Sequence, residues 1–139
     1  MGATKEFFIP ATGGNLVGYT IGWVVVRCDA ANENAYMDFK VPHDFTSISN
    51  AEIILISRAT QAAANWDIYA VYAAVGGPYD QHTASDTAST YNITNLELFA
   101  IDISGLLTAL AADDYVGIRF CQGTAGHNAD ILGVRFKYT

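Results

Sequence analysis

Val116-Gly117-Ile118-Arg119-Phe120 and Leu132-Gly133-Val134-Arg135-Phe136 repeat one pattern near the end of the chain. Each copy is apolar, glycine, apolar, arginine, phenylalanine. Successive side chains of a β-strand point to opposite faces, so the apolar residues share one face while Gly and Arg share the other. We expect these segments to be the closing strand pair of a β protein. The buried face of the second strand is predicted to carry Leu132, Val134, Phe136 and Tyr138.

The same alternation extends upstream. Ala35–Val41 predicts a strand with Met37, Phe39 and Val41 inward and with Tyr36, Asp38 and Lys40 outward. Val17–Val26 predicts one long strand, with Val17, Tyr19, Ile21, Trp23 and Val25 on its bulky face. Ala51–Ser57 is apolar on both faces, which indicates a central strand or a subunit contact.

The second half of the chain predicts further strands and two interruptions. Asn65–Val75 and Leu96–Ile103 have strand patterns. The polar stretch 76–95 predicts a long loop with a short strand near 91–94. Ser104 is a candidate cap for a short helix that runs to about Ala112.

These elements define an all-β fold. Roughly eight strands with one or two short helical turns favour an antiparallel two-sheet β-sandwich of jelly-roll type. A chain of 139 residues fits one such domain. We divide it into residues 1–14, an N-terminal arm or first strand containing Lys5–Pro10, and residues 15–139, the jelly roll.

The composition of the chain limits the kinds of binding partner that we expect. A hydrophobic fraction of 51% with 15% charged residues favours an oligomer that buries extra surface. The net charge of -7 disfavours nucleic acid. No segment resembles a secretory signal or a membrane span, so we expect neither, and we expect synthesis in a cytosol.

Catalytic signatures are missing from the sequence. It contains no nucleophile elbow, phosphate loop or zinc-binding helix. His43, His82 and His127 each lie near an acidic residue, and we interpret them as solvated loop residues. Cys28 and Cys121 allow at most one bridge and are interpreted as small core or edge residues. We therefore predict no catalytic residue, cofactor or metal.

A candidate binding surface lies in the 76–95 segment. It comprises Tyr79, Asp80, His82, Asp86 and Tyr91. Oxygen ligands in a loop suit calcium, but their spacing matches no calcium-loop signature. Whether this surface binds a receptor, a glycan or calcium stays open at this point.

A candidate assembly surface comes from two segments. The N-terminal segment offers Phe7, Phe8 and Ile9 as anchors for a neighbouring sheet. The repeated strands offer Gly117, Arg119, Gly133 and Arg135, whose small residues permit close approach by another strand or subunit. The two arginines either clasp acidic groups of a neighbouring subunit or keep the sheet surface hydrated.

The segments 39–48 and 113–120, together with the ending Gly-Val-Arg-Phe-Lys-Tyr, resemble small structural proteins of tailed-phage virions. The resemblance is to jelly-roll proteins of the capsid-decoration or fibre kind. It implies a non-enzymatic protein that forms a homo-oligomer, often a trimer, and docks on a larger particle such as a capsid. The implied location is the virion.

A carbohydrate-binding jelly-roll module is the alternative. It would use exposed aromatic side chains such as Tyr79 or Tyr91, with or without loop-bound calcium. A hydrolase ranks third, because the chain lacks an acid–base or nucleophile constellation.

Overall fold

The computed structural model describes residues 2–18, 22–30, 33–121 and 127–139, and for Cys121 the backbone alone. Within these ranges the chain forms twelve strands and one 3₁₀ helix of three residues. The strands are β1 Lys5–Pro10, β2 Leu16–Gly18, β3 Val24–Cys28, β4 Asn34–Lys40, β5 Ile48–Ile56, β6 Gln61–Asn65, β7 Asp67–Ala73, β8 His82–Asp86, β9 Thr90–Ile93, β10 Leu98–Asp102, β11 Tyr115–Cys121 and β12 Ala129–Tyr138. The 3₁₀ helix is Ser104–Leu106.

The strands form two main antiparallel sheets and one small one. The six-stranded sheet has the order β10-β5-β12-β3-β2, and β1 also pairs with β12. The four-stranded sheet has the order β4-β11-β7-β8, and β6 pairs with β9 in a two-stranded sheet. The predicted all-β, antiparallel sandwich is confirmed, with more and shorter strands than the sequence suggests.

The repeated strands lie in opposite sheets. β11 pairs with β4 and β7, whereas β12 pairs with β5 on one side and with β3 and β1 on the other. They therefore form no pair with each other, and each is an interior strand of its own sheet. Phe120 and Phe136 enter the core from the two sheets, and both are fully buried.

The predicted faces are confirmed in β4 and β11. Met37, Phe39 and Val41 are buried, and so are Val116, Ile118 and Phe120. In β12 the prediction fails at one position, because the register with β5 shifts between Ile131 and Gly133. This irregularity buries Ile131 and leaves Leu132 only half-buried, while Val134, Phe136 and Tyr138 face the core as predicted.

The predicted long strand 17–26 is wrong. Its ends are two short strands that pair with each other, with Leu16 opposite Val26 and Gly18 opposite Val24. Tyr19 and Ile21 lie outside the described residues, and Trp23 is 48% exposed rather than buried. The sequence pattern does not reveal that the chain reverses direction between β2 and β3, because a uniform alternation of bulky and small residues fits one long strand as well as two short ones.

The segment 61–95 is more ordered than predicted. The expected strand Asn65–Val75 is divided between β6 and β7, with buried Trp66 at the break. The Nε1 atom of Trp66 donates a 2.7 Å hydrogen bond to the carbonyl of His127. The expected loop 76–95 contains β8 and β9, and β9 corresponds to the short strand predicted near 91–94.

The predicted helix 104–112 is also wrong. Ser104 does not cap it, since the hydroxyl of this residue accepts a hydrogen bond from the backbone N–H of Ala51. The chain continues as turns, and the buried Asp114 carboxylate accepts a 2.9 Å bond from the N–H of Ala111. Only the 3₁₀ turn Ser104–Leu106 forms, and beyond it the N–H groups of Ala109 and Ala111 bond to side-chain oxygens of Tyr72 and Asp114 instead of to a helical carbonyl.

The N-terminal segment is a strand of this chain's own sheet. β1 runs antiparallel to β12, from Lys5 opposite Tyr138 to Pro10 opposite Gly133. The Phe7 ring lies 5.5 Å from that of Phe39 and 5.3 Å from that of Phe136. Of the two alternatives for Lys5–Pro10, the structure shows the first strand.

Candidate functional site

The outward face of the four-stranded sheet carries the candidate site. Strand register aligns its side chains in rows across the sheet. One row contains Tyr36, Arg119, Tyr69 and Ser85. The next row contains Asp38, Gly117, Val71 and Thr83. The face opposite the core is thus unusually aromatic.

These rows form the floor of a groove of about 670 Å³. Its rim comes from the turn between β7 and β8, which contributes Asp80 and the 83% exposed Tyr79. Gly117 keeps the centre of the floor low, because it projects no side chain into the groove. A groove of this size with a few polar groups among apolar surfaces is typical of a small-ligand site.

Arg119 lies at the middle of the aromatic row. Its Cζ atom is 4.3 Å from the centroid of the Tyr69 ring, and Tyr36 is its neighbour on the opposite strand. A guanidinium over an aromatic face is held by the ring quadrupole and keeps its N–H groups available at the edge of the plane. The groove therefore offers flat rings for stacking beside a planar hydrogen-bond donor.

The predicted loop surface is only partly gathered at this groove. Tyr79 and Asp80 line it, whereas His82 stacks on Tyr72 with ring centroids 5.0 Å apart. The Asp86 carboxylate accepts hydrogen bonds from the hydroxyl and N–H of Ser89, and the hydroxyl bond lowers the pKa of Asp86.

Tyr91 is turned away from the groove. Its ring stacks on that of Trp66 at 5.9 Å, and burial raises the pKa of its hydroxyl. A ring packed in this way is a poor platform for an external ligand.

The predicted assembly residues also separate. Gly117 and Arg119 belong to the groove, but Gly133 is buried against Phe8 and Ile9 of the neighbouring strand β1. Arg135 forms an ion pair with Glu52 on the neighbouring strand β5. Phe7 and Ile9 pack against the core, and Phe8 is 45% exposed.

Sequence reasoning missed Tyr36, Tyr69 and Asp38 as members of a site. Tyr36 and Asp38 were correctly predicted to face outward, so their signal was an aromatic residue on the polar face of a strand. Tyr69 lacked such a signal, because its strand is apolar on both faces. Only register brings Tyr69 beside Arg119.

Each of the three histidines makes a different contact within the chain, and they lie apart from one another. The Nδ1 atom of His43 is 2.7 Å from Oδ2 of Asp113, whose Oδ1 is 2.5 Å from Nζ of Lys40. The Lys40 hydrogen bond, aided by His43, lowers the pKa of Asp113. The Nδ1 atom of His127 accepts a 3.1 Å hydrogen bond from the N–H of Asn65.

The described residues contain no group of three or more His, Cys, Asp or Glu side chains that could hold a metal ion. No helix in the described parts of the chain has the length and apolarity to cross a membrane. Cys28 is buried, in keeping with its interpretation as a small core residue, whereas the side chain of Cys121 lies outside the described residues.

No family model matches the chain, and no curated protein matches it. Among solved structures, a family two carbohydrate esterase from Cellvibrio japonicus is similar over 100% of this chain, with a TM-score of 0.52 and 6% identity. This chain spans 35% of that esterase. The carbohydrate-binding module CBM36, solved with calcium and xylotriose, is similar over 96% of this chain and 98% of its own length, with a TM-score of 0.50 and 12% identity. These similarities show the jelly-roll fold alone.

A domain of the bacteriophage CBA120 tailspike protein 4 is also similar, with a TM-score of 0.42 and 10% identity over 98% of this chain. That score is too low to carry an argument. The resemblance to phage virion proteins also has no support at the level of sequence, since neither family models nor curated proteins match.

Proposed function

We propose that this chain is a non-catalytic carbohydrate-binding module that holds a glycan in the groove lined by Tyr36, Tyr69 and Tyr79. The observation that carries the proposal is the exposed aromatic row on the outer face of the four-stranded sheet, with Arg119 against the Tyr69 ring. Aromatic faces provide broad apolar contact to sugar rings at a small cost in side-chain entropy. Arg119, Asp38 and Asp80 supply donors and acceptors for hydroxyl groups.

The fold supports the same proposal. The solved module with xylotriose has this fold over nearly its whole length, so a jelly roll of this size can bind an oligosaccharide. The site proposed for this chain uses no metal, because the Asp86 carboxylate is already bonded to Ser89 and only Asp80 of the loop set faces the groove with the tyrosines.

The test is a glycan array probed with and without a chelator, followed by variants in the groove. We expect binding that survives chelation, with Tyr69→Ala lowering the affinity at least about tenfold, which is ~1.4 kcal/mol. The matched control is Phe8→Ala, an exposed aromatic residue on the other sheet, which should bind as the wild type does. A silent array under both conditions would refute the proposal.

Self-association is a second candidate function, favoured by a different surface. The β2–β3 hairpin exposes Leu16 by 56%, Trp23 by 48% and Val24 by 60%, and β2 is an edge strand of its sheet. Exposed apolar edges of this kind favour pairing with another chain. Native mass spectrometry of the purified protein tests this, since a monomer at micromolar concentration would remove the homo-oligomer and the trimer hypotheses together.

A further inference from the structure

We propose that the groove selects glycans carrying isolated carboxylate groups, such as a neutral backbone with uronic acid side groups, and that Arg119 binds the carboxylate. This inference rests on the proposed function and names the ligand class of the same groove.

Arg119 differs from every other basic side chain of the protein. Within the described residues each other lysine and arginine forms an ion pair with an acidic side chain, the loosest being Lys137 with Glu6 at 4.0 Å. Arg119 forms none, although acidic residues outnumber basic ones 14 to 7. In so acidic a chain, a basic side chain with no acidic partner among the described residues is available for an external anion.

The geometry suits a carboxylate. The guanidinium is exposed, its Cζ atom lies over the Tyr69 ring, and Tyr36 occupies the next strand in the same row. The ring contact restricts the plane of the guanidinium, so less entropy is lost when its fork of donors binds both oxygens of a carboxylate. A sugar ring bearing that carboxylate can then contact the neighbouring tyrosine.

The rest of the groove limits how much negative charge it accepts. Asp38 and Asp80 line it beyond the Arg119 row, and the whole chain carries a net charge of -7. These carboxylates can accept hydrogen bonds from hydroxyl groups of uncharged sugars, but they repel further anions. The arrangement therefore favours one carboxylate among neutral residues over a polyanion.

The experiment uses a glycan array in which each uronic-acid-bearing glycan, including a xylan with glucuronic acid side groups, is printed beside its carboxyl-reduced form. Polygalacturonate serves as the polyanion. We expect at least about fivefold tighter binding to a carboxylate-bearing glycan than to its reduced partner. Added salt should reduce that difference, and polygalacturonate should bind more weakly.

Arg119→Gln should abolish the preference, so that the carboxylate-bearing glycan and its reduced form bind with equal affinity. Arg119→Lys should restore part of it, because it keeps the charge but loses the planar fork. The matched control is Arg135→Gln, which removes the arginine of the other repeat and should leave the preference unchanged. Circular dichroism verifies that each variant is folded.

The outcomes separate this inference from the proposed function. Equal binding of native and reduced glycans, or tightest binding of polygalacturonate, would overturn the carboxylate preference while leaving a carbohydrate-binding module. A preference that persists in Arg119→Gln would remove Arg119 from the role. Silence on every glycan would overturn the proposed function itself.

Discussion

The two copies of the Gly-x-Arg-Phe pattern have nearly the same sequence and opposite surroundings. In β12 the glycine is buried against the carbonyl of Ile9 and the ring of Phe8, and the arginine is bonded to Glu52. In β11 the glycine lies on the floor of an open groove. The arginine contacts the ring of Tyr69 and has no ion-pair partner within the described residues. The glycine and arginine of β12 are thus occupied by contacts within the chain, whereas those of β11 line an accessible groove.

The difference comes from the neighbouring strands. β1 pairs alongside β12 in the same sheet, and its Phe8 ring and Ile9 carbonyl lie against Gly133, so the space beside that glycine is filled by the chain itself. The strands beside β11 supply Tyr36, Tyr69 and Asp38 around an uncovered surface. Identical local patterns thus acquire a structural role in one sheet and a candidate binding role in the other.

The largest difference between the two copies should appear when each glycine is replaced by alanine. A Cβ at position 133 would lie 2.1 Å from the Ile9 carbonyl oxygen, so Gly133→Ala forces the backbone of β1 away. We expect a loss of about 3 kcal/mol in the free energy of unfolding, measured by urea denaturation. Gly117→Ala is the matched control, since its nearest contact would be 3.3 Å from Val71 Cγ1, and it should cost less than about 1 kcal/mol. Equal costs would contradict the contrast.

Shortening Phe7 should have the next largest effect. Its ring contacts those of Phe39, Phe136 and Tyr138, but the side chain is only half-buried. Phe7→Ala should lower the free energy of unfolding by about 2 kcal/mol, less than a fully buried phenylalanine would. Phe8→Ala, on the exposed face of the same strand, is the control and should change stability by under about 1 kcal/mol. A neutral Phe7→Ala would mean that β1 contributes little to the core.

Replacing each arginine by glutamine should produce a smaller difference in stability between the two copies. Arg135→Gln leaves the half-buried Glu52 without its partner and should cost about 0.5–1 kcal/mol. Arg119→Gln removes no ion pair with the described residues and loses only an exposed contact with the Tyr69 ring, so it should lower thermal stability less than Arg135→Gln does. Differential scanning calorimetry at low salt compares them, and an Arg119→Gln loss as large as that of Arg135→Gln would show that Arg119 is structural.

The smallest effect should be a loss of stability in acid, to which two carboxylates contribute. Each is paired with a lysine of a different main sheet, Lys5 of β1 or Lys40 of β4. A hydrogen bond from Lys5 lowers the pKa of Asp44, and one from Lys40 lowers the pKa of Asp113. A carboxyl group whose pKa is lower in the folded state stabilises the fold above its unfolded pKa, and this stabilisation disappears as the pH falls through the folded pKa. Melting temperatures between pH 7 and pH 2 should therefore fall less steeply in Asp44→Asn and in Asp113→Asn than in the wild type. Since both pairs are exposed, an unchanged slope in both would mean that solvent screens them fully.

Much of the fold followed from local alternation. The inward residues of β4 and β11 and the central position of β5 were predictable, because each strand has one apolar side or two. The hairpin of β2 and β3, the register shift at Leu132 and the end of the helical turn at Leu106 were not. Each depends on a distant partner, such as Val26 for Leu16 or Ala51 for Ser104.

The candidate site was predictable only in fragments. Tyr79, Asp80, Gly117 and Arg119 were singled out for separate reasons, and the outward position of Tyr36 was visible in the alternation. Nothing local linked them to Tyr69, because strands far apart in sequence meet through hydrogen-bonded register.

The sequence by itself determined an acidic, all-β chain whose repeated strands place phenylalanine on one face and glycine and arginine on the other, because side-chain alternation along a strand is a local property. Only the tertiary structure decided that β11 and β12 would lie in different sheets, with Gly133 against Phe8 of β1 and Arg119 beside Tyr69 and Tyr36. The reason is that coverage, pairing and register depend on which segments meet in space, and two pentapeptides of the same pattern carry no information about their neighbours.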